Sequence, residues 1–155
     1  MERTIVLIKP DGLQRGLVGE IMHRFERKGL KLVGIKMIRL TDDILENWYS
    51  HHKDKPFFAT LKNFMEWTPV VAMVWEGVEA VSAVRKIVGI TKAREAEAGS
   101  IRGDFGMSGS QNIIHASDSQ ESADKELGLI FNADEIFEYD SATDLLIYSK
   151  EEVDK

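Results

Sequence analysis

The stretch Arg3-Thr-Ile-Val-Leu-Ile-Lys9 is apolar and β-branched, which predicts a buried strand near the start of the chain. A second apolar run, Val70–Trp75, is short enough to be a central strand of the same sheet. Further strands are predicted over Lys31–Leu40, where apolar and polar residues alternate, and over Ile113–His115. Helical patterns or chain breaks separate these runs, so the sequence predicts one sheet that is interleaved with helices.

The segments between the strands carry helical apolar spacing and residues that suit helix ends. Gly29 can end a helix, Thr41 and Ser119 can cap helix starts, and Pro56 suits a first turn. The predicted helices are Val18–Lys28, Asp42–His51, Phe57–Glu66, Val78–Val88 and Ser119–Phe131, and Thr91–Phe105 is predicted to be a long loop. With insertions, this order is the β-α-β-β-α-β pattern of ferredoxin-like folds. We therefore expect the α/β (α+β) class, with a four-stranded antiparallel sheet covered by helices, a helical insertion and a C-terminal extension.

Length, composition and charge narrow the functions that are open to the chain. Its 155 residues, 43% hydrophobic and 30% charged, suit one soluble domain over residues 1–155. The lack of cysteine excludes disulfides, thiol chemistry and cysteine metal sites. A net charge of −6 argues against nucleic-acid binding, although a local basic cluster would still bind a small polyanion. Without a signal peptide or long apolar span, we expect a cytoplasmic protein with no membrane segment.

The run Asn112-Ile-Ile-His-Ala-Ser-Asp-Ser119 places a histidine at a predicted strand end, directly before a cluster of small and polar residues. Neutral imidazole is a good nucleophile near pH 7, because its ordinary pKa is about 6.5. Shortly before it, Arg102 offers a guanidinium whose fork matches phosphate oxygens. Together, these groups predict phosphoryl transfer through the protein. Taken singly, His115 could be structural and Arg102 a surface ion-pair partner.

Five motifs resemble those of nucleoside diphosphate kinases and follow the order of that family. They are Lys9-Pro-Asp-Gly-Leu-Gln-Arg-Gly16, Asp54-Lys-Pro-Phe-Phe58, Pro69-Val-Val-Ala-Met-Val-Trp-Glu-Gly77, Gly99-Ser-Ile-Arg-Gly-Asp-Phe105 and Asn112-Ile-Ile-His-Ala-Ser-Asp-Ser119. The resemblance extends from about Arg3 to Tyr148. It implies an enzyme that transfers the γ-phosphate of a nucleoside triphosphate such as ATP to a nucleoside diphosphate. The implied mechanism is ping-pong, through a phosphohistidine at His115.

The resemblance also implies roles for individual residues. His115 would be the nucleophile, Glu126 would bind its other ring nitrogen, and Ser117 would support that contact. Lys9 and Tyr49 would complete the catalytic group. The implied nucleotide-binding residues are Lys9 and Asn112 at the ribose and a nearby phosphate oxygen, Phe57 stacked on the base, and Arg85, Thr91 and Arg102 at the phosphates.

The resemblance further implies a Mg²⁺ cofactor, nucleoside di- and triphosphates as partners, and a homo-oligomer that is a hexamer or a tetramer. No carboxylate cage is evident in the sequence, so the ion is expected to arrive on the nucleotide phosphates. Three positions depart from the family pattern, and at one of them Lys55 stands where an arginine is frequent. Ala93 stands where a proline is usual, and Gly109 stands where a valine commonly walls the base. The missing valine side chain predicts weaker base stacking.

Two other functions stay open at the level of the sequence. The same pocket could bind ATP without turnover, as in a ferredoxin-like regulator. An RNA-binding module on this fold is disfavoured by the acidic charge and by the lack of exposed strand aromatics. The sequence contains no Gly-x-x-x-x-Gly-Lys-Ser/Thr loop, which excludes a P-loop ATPase.

Overall fold

Four strands form one antiparallel sheet in the computed structural model, which describes residues 1–153. They are β1 (Glu2–Ile8), β2 (Lys31–Ile38), β3 (Val70–Gly77) and β4 (Ile114–Ala116). Their spatial order is β2-β3-β1-β4, and each neighbouring pair is antiparallel. The central positions belong to β1 and β3, the two strongly apolar runs, because a central strand is covered on both faces. The predicted ferredoxin-like α+β fold is therefore confirmed.

Helices connect these strands and cover the sheet. Within residues 1–153 they are α1 (Pro10–Gln14), α2 (Val18–Lys28), α3 (Asp42–Trp48), α4 (Phe58–Glu66), α5 (Ala80–Val88), α6 (Ile101–Phe105), α7 (Gln120–Ile130), α8 (Asp144–Ile147) and α9 (Lys150–Val153), with 3₁₀ turns at Ser50–His52, Ala93–Glu95 and Ala133–Glu135. The predicted helix ends are confirmed at three places. Gly29 ends α2 with a φ of 97°, and the hydroxyls of Thr41 and Ser119 accept backbone N–H bonds at the starts of α3 and α7. No helix in this part of the chain has the length and apolar character to cross a bilayer.

The predicted loop over Thr91–Phe105 is wrong in its second half, where α6 forms. The Ser100 hydroxyl starts this helix, because it accepts a hydrogen bond from Gly103 N–H (3.0 Å) and donates one to the Glu97 carbonyl (2.6 Å). A capping serine within a charged segment that lacks apolar periodicity is easily missed in the sequence. The cap matters for the site described below, because α6 carries Arg102.

Other helix boundaries also differ from the prediction, and α5 begins two residues later than predicted, at Ala80. The helix predicted over Asp42–His51 ends at Trp48 and continues as a 3₁₀ turn. Pro56 lies before α4 rather than in its first turn. In addition, the Pro10-Asp-Gly segment after β1 starts the short helix α1, since proline is compatible with the first helical position.

The sheet separates two apolar clusters, one on each face. Along β1, Val6 and Ile8 pack into the cluster that contains α2 and α5, whereas Ile5 and Leu7 pack into the cluster that contains α3, α4 and α7. This alternation follows from the two-residue period of a strand. All eight residues of β3 are buried, so β3 contributes to both clusters.

The register of β4 against β1 determines where the key histidine lies. His115 pairs with Leu7 across the antiparallel ladder, and paired residues project from the same face of a sheet. His115 therefore lies on the face that α3 and α7 cover. Lys9 follows β1 directly and continues its alternation onto the same face.

Strand β2 forms an edge of the sheet, and only part of that edge is covered. Phe137 N–H donates to the Val33 carbonyl (2.8 Å), and the Tyr139 hydroxyl donates to the Leu32 carbonyl (2.7 Å). Further along the strand, Ile35 and Met37 are 47% and 62% exposed. The second half of β2 is thus a solvent-exposed apolar strand edge.

Candidate active site

One cavity of about 540 Å³ brings together the residues that the sequence singled out. Its volume is typical of small-molecule sites, which span roughly 300–1,000 Å³. Lys9, Tyr49, Phe57, Arg85, Thr91, Arg102, Asn112, His115 and Glu126 line it, together with Thr60, Leu61, Phe64, Gly109, Ser110, Gln111, Ala116 and Asp118. Ser117 is the one predicted site residue outside this lining, and it contacts Glu126 from behind.

The carboxylate of Glu126 collects hydrogen bonds from several elements. Its Oε2 lies 3.0 Å from His115 Nε2 and accepts a second hydrogen bond from Ser117 Oγ at 2.6 Å. Its Oε1 accepts a hydrogen bond from Trp48 Nε1 at 3.1 Å. Trp48 and His115 also contact each other, with ring centroids 5.0 Å apart and an interplanar angle of 86°. The carboxylate is thereby held between α3, β4 and α7.

This arrangement determines which nitrogen of His115 is free. An ionised carboxylate only accepts hydrogen bonds, so Nε2 must carry the proton that faces Glu126. The lone pair of the neutral ring then resides on Nδ1. His115 lines the cavity, and about a fifth of its side chain is exposed. The ring is therefore both oriented and accessible.

Trp48 is a site residue that sequence reasoning missed. Its side chain is buried, and tryptophan at a helical core position is ordinarily explained by packing alone. Its only chemical signal is the indole N–H, which needs a partner when it is buried. That partner, Glu126, is 78 positions away in the sequence, so only the fold identifies it.

Lys9 and Asn112 form a buried pair at the inner end of the cavity. Lys9 Nζ donates to Asn112 Oδ1 at 2.7 Å and to the Ser110 carbonyl at 3.4 Å. The Asn112 amide donates in turn to the carbonyls of Thr91 (2.9 Å) and Gly109 (3.1 Å). Burial lowers the pKa of Lys9 to about 8, and the charge of Arg102 acts in the same direction, while Asp11 opposes it. Lys9 is therefore still mostly charged at pH 7.

Arg102 is buried, and backbone carbonyls already hold three of its N–H groups. Nη2 donates to the carbonyl of Ile114 (2.6 Å), Nη1 to that of Gly89 (3.0 Å) and Nε to that of Asn112 (3.3 Å). Burial lowers the pKa of Arg102 to about 10, assisted by the charge of Arg85. The guanidinium has further N–H groups, which remain for a ligand in the cavity.

The outer rim of the cavity carries one more cation and one more carboxylate. Arg85, in the last turn of α5, donates to the Ala116 carbonyl at 3.4 Å. A hydrogen bond from Ser122 lowers the pKa of Asp118, and Ser119 and the charge of Arg85 add to that effect. Thr91 is exposed at this rim. With Lys9, Arg85 and Arg102 against Asp118 and Glu126, the lining is net positive in a chain whose net charge is −6.

Tyr49 lines the cavity as a neutral phenol. Burial raises its pKa to about 12, and the charge of Glu126 adds to the effect. Its hydroxyl therefore keeps its proton throughout the physiological pH range and can donate a hydrogen bond to an anion.

The apolar end of the cavity is open on one side. Phe57 is 50% exposed, whereas its neighbour Phe58 is buried in the core. Gly109 lines the same cavity, its φ lies outside the left-handed region, and a Cβ built on it meets no atom within 4 Å. No backbone constraint therefore requires glycine at this position.

The described residues contain no group of three or more histidine, aspartate or glutamate side chains that could hold a metal ion. Within the cavity, Glu126 is occupied by His115, Ser117 and Trp48. The other lining carboxylate is Asp118, which already accepts hydrogen bonds from Ser122 and Ser119. This donor set suits an ion that is held mainly by a ligand and by water rather than by a protein cage.

Comparisons with known proteins identify the family. A family model described as nucleoside diphosphate kinase matches residues 2–136. The nucleoside diphosphate kinase of Parabacteroides distasonis is 51% identical over 98% of this chain and 99% of its own length. That of Staphylothermus marinus is 56% identical over 89% of this chain and 98% of its own length.

Solved structures agree with this assignment. A halophilic nucleoside diphosphate kinase from Halobacterium salinarum, in complex with CDP, superposes with a TM-score of 0.93 at 44% identity, over 96% of this chain and 99% of that one. A nucleoside diphosphate kinase family protein from Babesia bovis gives 0.92 at 47% identity, over 96% and 100%. The matches span almost the whole chain, which favours the enzyme over the regulator and the RNA-binding module. The chain is therefore a phosphotransferase that belongs to the nucleoside diphosphate kinase family.

Proposed function

We propose that the enzyme works through a covalent intermediate in which His115 carries the phosphoryl group between two nucleotides. The observation that supports this most directly is the His115–Glu126 contact of 3.0 Å, inside a cavity with three cationic side chains. A single nucleophile that stores the phosphoryl group lets donor and acceptor use the same pocket in turn. Ping-pong kinetics follow from that sharing.

In the first step, the lone pair of Nδ1 attacks the γ-phosphorus of the nucleoside triphosphate. The bond from that phosphorus to its bridging oxygen breaks, and the electron pair leaves on the nucleoside diphosphate. Nε2 keeps its proton, so the ring gains positive charge that the Glu126 carboxylate stabilises at 3.0 Å. The second step is the reverse reaction, in which a terminal oxygen of a different nucleoside diphosphate attacks the phosphorus and Nδ1 is released.

The cations of the cavity supply the electrostatic part of catalysis. Phosphoryl transfer depends mainly on alignment and on stabilising charge at the phosphate oxygens. Arg85 and the unoccupied N–H groups of Arg102 would bind the phosphates, with the Thr91 hydroxyl beside them. Lys9 and the free lone pair of Asn112 Oδ1 would bind the ribose hydroxyls and a phosphate oxygen.

The remaining groups position the substrate. The exposed ring of Phe57 offers a stacking face that every base can use, which gives affinity with little base discrimination. Tyr49 remains protonated and would donate to a phosphate oxygen near His115. Mg²⁺ would arrive with the nucleotide and supply positive charge against the phosphates, and Asp118 is the lining carboxylate that would help to hold it.

Labelling tests the covalent intermediate directly. When the protein is mixed with terminally labelled ATP and no acceptor, we expect protein-bound label that survives base and is lost in acid. A nucleoside diphosphate should discharge it. His115→Ala should abolish labelling, and His23→Ala, which alters an exposed helical histidine, should not. Label that persists in His115→Ala would remove His115 from this role.

Trp48→Phe tests whether the hydrogen bond from Trp48 to Glu126 supports catalysis. The change keeps an aromatic ring beside His115 but removes the N–H that binds Oε1. Loss of a hydrogen bond to a charged group costs about 1.5 kcal/mol, so we expect the single-turnover labelling rate to fall by about tenfold. Trp67→Phe, at an exposed position, is the matched control and should not change the rate. An unaltered rate in Trp48→Phe would show that the indole only packs.

The pKa of Lys9 predicts a pH dependence of nucleotide binding. Lys9 is charged below its pKa of about 8, so its contribution to binding is complete at pH 7 and is lost as the pH rises through 8. Above pH 8 we expect ADP affinity, measured by calorimetry, to fall by up to about tenfold per unit. The terminal phosphate of ADP is already ionised in this range, since its pKa is about 6. Lys9→Gln should bind more weakly with a flat profile from pH 7 to 9, and a flat profile in the unmodified protein would contradict the assignment.

Gly109→Val tests the open wall of the base site. A Cβ at this position meets no atom within 4 Å, and a valine side chain would extend the apolar surface of the cavity. If it covers part of the base, each buried methylene contributes about 0.8 kcal/mol, and we expect the nucleotide KM to fall by about fivefold. Gly128→Val, on a helix away from the cavity and equally free of clashes, is the control. An unchanged or higher KM in Gly109→Val would count against base contact at this position.

A further inference from the structure

The backbone reverses sharply at Ile113, immediately before the strand that carries His115. Ile113 has a φ of 76°, and Ile114 N–H donates to the Asn112 carbonyl at 2.9 Å. A hydrogen bond between residues two apart, with positive φ at the middle residue, defines a strained form of γ-turn. β-branched residues avoid this region because their Cβ substituents crowd the backbone. The turn therefore has to be held in place by its surroundings.

Four backbone groups of this turn are bound by residues from the sequence motifs. Asp11 Oδ2 accepts a hydrogen bond from Ile113 N–H at 2.9 Å, and Lys9 N–H donates to the Ile113 carbonyl at 2.8 Å. Arg102 donates to the carbonyls on either side, those of Asn112 and Ile114. These contacts come from β1–α1 and from α6, so two separate parts of the chain hold the turn.

Gly12 explains how α1 can approach the turn so closely. A Cβ on Gly12 would lie 2.9 Å from the Ile113 carbonyl oxygen and 2.8 Å from Ile8 Cγ2. Such contacts are closer than side chains tolerate, and only glycine allows the approach. The Pro10-Asp-Gly segment thus brings the Asp11 carboxylate to the Ile113 amide, which the internal hydrogen bond of the turn does not use.

Asp11 itself does not line the cavity, and Oδ1 of its carboxylate is buried with no hydrogen-bond partner in residues 1–153. Burying a carboxylate oxygen without a partner opposes folding. The turn that Asp11 holds lies between two groups of the site, the amide of Asn112 and, two residues on, the ring of His115. Rotation of the backbone at Ile113 would displace both.

We propose that Asp11 is a positioning residue, which keeps Ile113 in its strained conformation and thereby aligns His115 for in-line attack. This inference rests on the proposed nucleophilic role of His115. It predicts that the labelling rate no longer depends on Asp11 once the strain at position 113 is removed. A carboxylate that only stabilised the fold would not show this behaviour.

The first experiment compares three variants of Asp11 by rapid-quench labelling with ATP at pH 7, where Lys9 is still charged. Asp11→Ala removes the acceptor, Asp11→Glu displaces it by one methylene, and Asp11→Asn keeps an acceptor oxygen in place. Misplacement of a reacting group by about 1 Å can cost up to about a hundredfold in rate, so we expect losses of this order for Ala and Glu and a much smaller loss for Asn. The dissociation constant of ADP should change far less than the rate. If Asp11→Ala does not fold, the Glu and Asn variants still decide the question.

The second experiment removes the strain in the Asp11→Ala background. Ile113→Gly makes a positive φ free of steric cost, whereas Ile113→Ala truncates the side chain almost as far and keeps the cost. We expect Ile113→Gly to recover most of the lost labelling rate and Ile113→Ala to recover little.

Equal effects of Asn, Glu and Ala at position 11, or equal recovery with Gly and Ala at position 113, would overturn the proposal. These outcomes are separable from failure of the proposed mechanism. If the proposed mechanism itself were wrong, the unmodified protein would form no acid-labile, base-stable label.

Discussion

The hydrogen bonds that meet at the Glu126 carboxylate are the interaction on which the site depends. A carboxylate is costly to bury, and the cost is tolerable only when donors satisfy both oxygens. Trp48, His115 and Ser117 provide those donors from two different parts of the chain. The same bonds fix the tautomer of His115 and leave the Nδ1 lone pair for the nucleophilic role proposed above. Stability and chemistry are therefore coupled in one contact, since loosening any donor both destabilises the buried charge and disorders the ring.

A second constraint is the concentration of positive charge inside a negatively charged protein. Lys9 and Arg102 are buried, and burial lowers the pKa of both groups. Backbone carbonyls and the Asn112 amide offset much of the cost of removing these cations from water. Under the proposed function, a polyphosphate in the cavity would meet groups that are already oriented, so that little reorganisation would accompany charge development in the transition state. The net charge is a sum over the whole chain, so it does not reveal the local excess of positive charge in the cavity.

The sheet supplies the rigidity that both constraints require. The end of β1 lies beside the start of β4. Lys9, Asn112 and His115 are therefore attached to a hydrogen-bonded framework rather than to free loops. The tight turn at Ile113 links this framework to the cavity, with Gly12 and Asp11 packed against it. The strained backbone conformation of Ile113 can persist because the surrounding sheet and helices fix the path of the chain.

The sequence by itself determined the sheet, the five longest helices to within three residues at each end, and nine of the side chains that line the cavity. Strand and helix periodicity are local properties, and motifs such as Asn112–Ser119 keep reactive groups adjacent along the chain. It did not show α6, whose start depends on a single capping hydroxyl, or the partner of Trp48, which is 78 positions away. Nor did it show that Arg102 donates three hydrogen bonds to backbone carbonyls, or that Asp11 accepts one from the amide of Ile113. Those contacts join residues distant in sequence, and hydrogen-bond geometry between such residues exists only once the chain has folded.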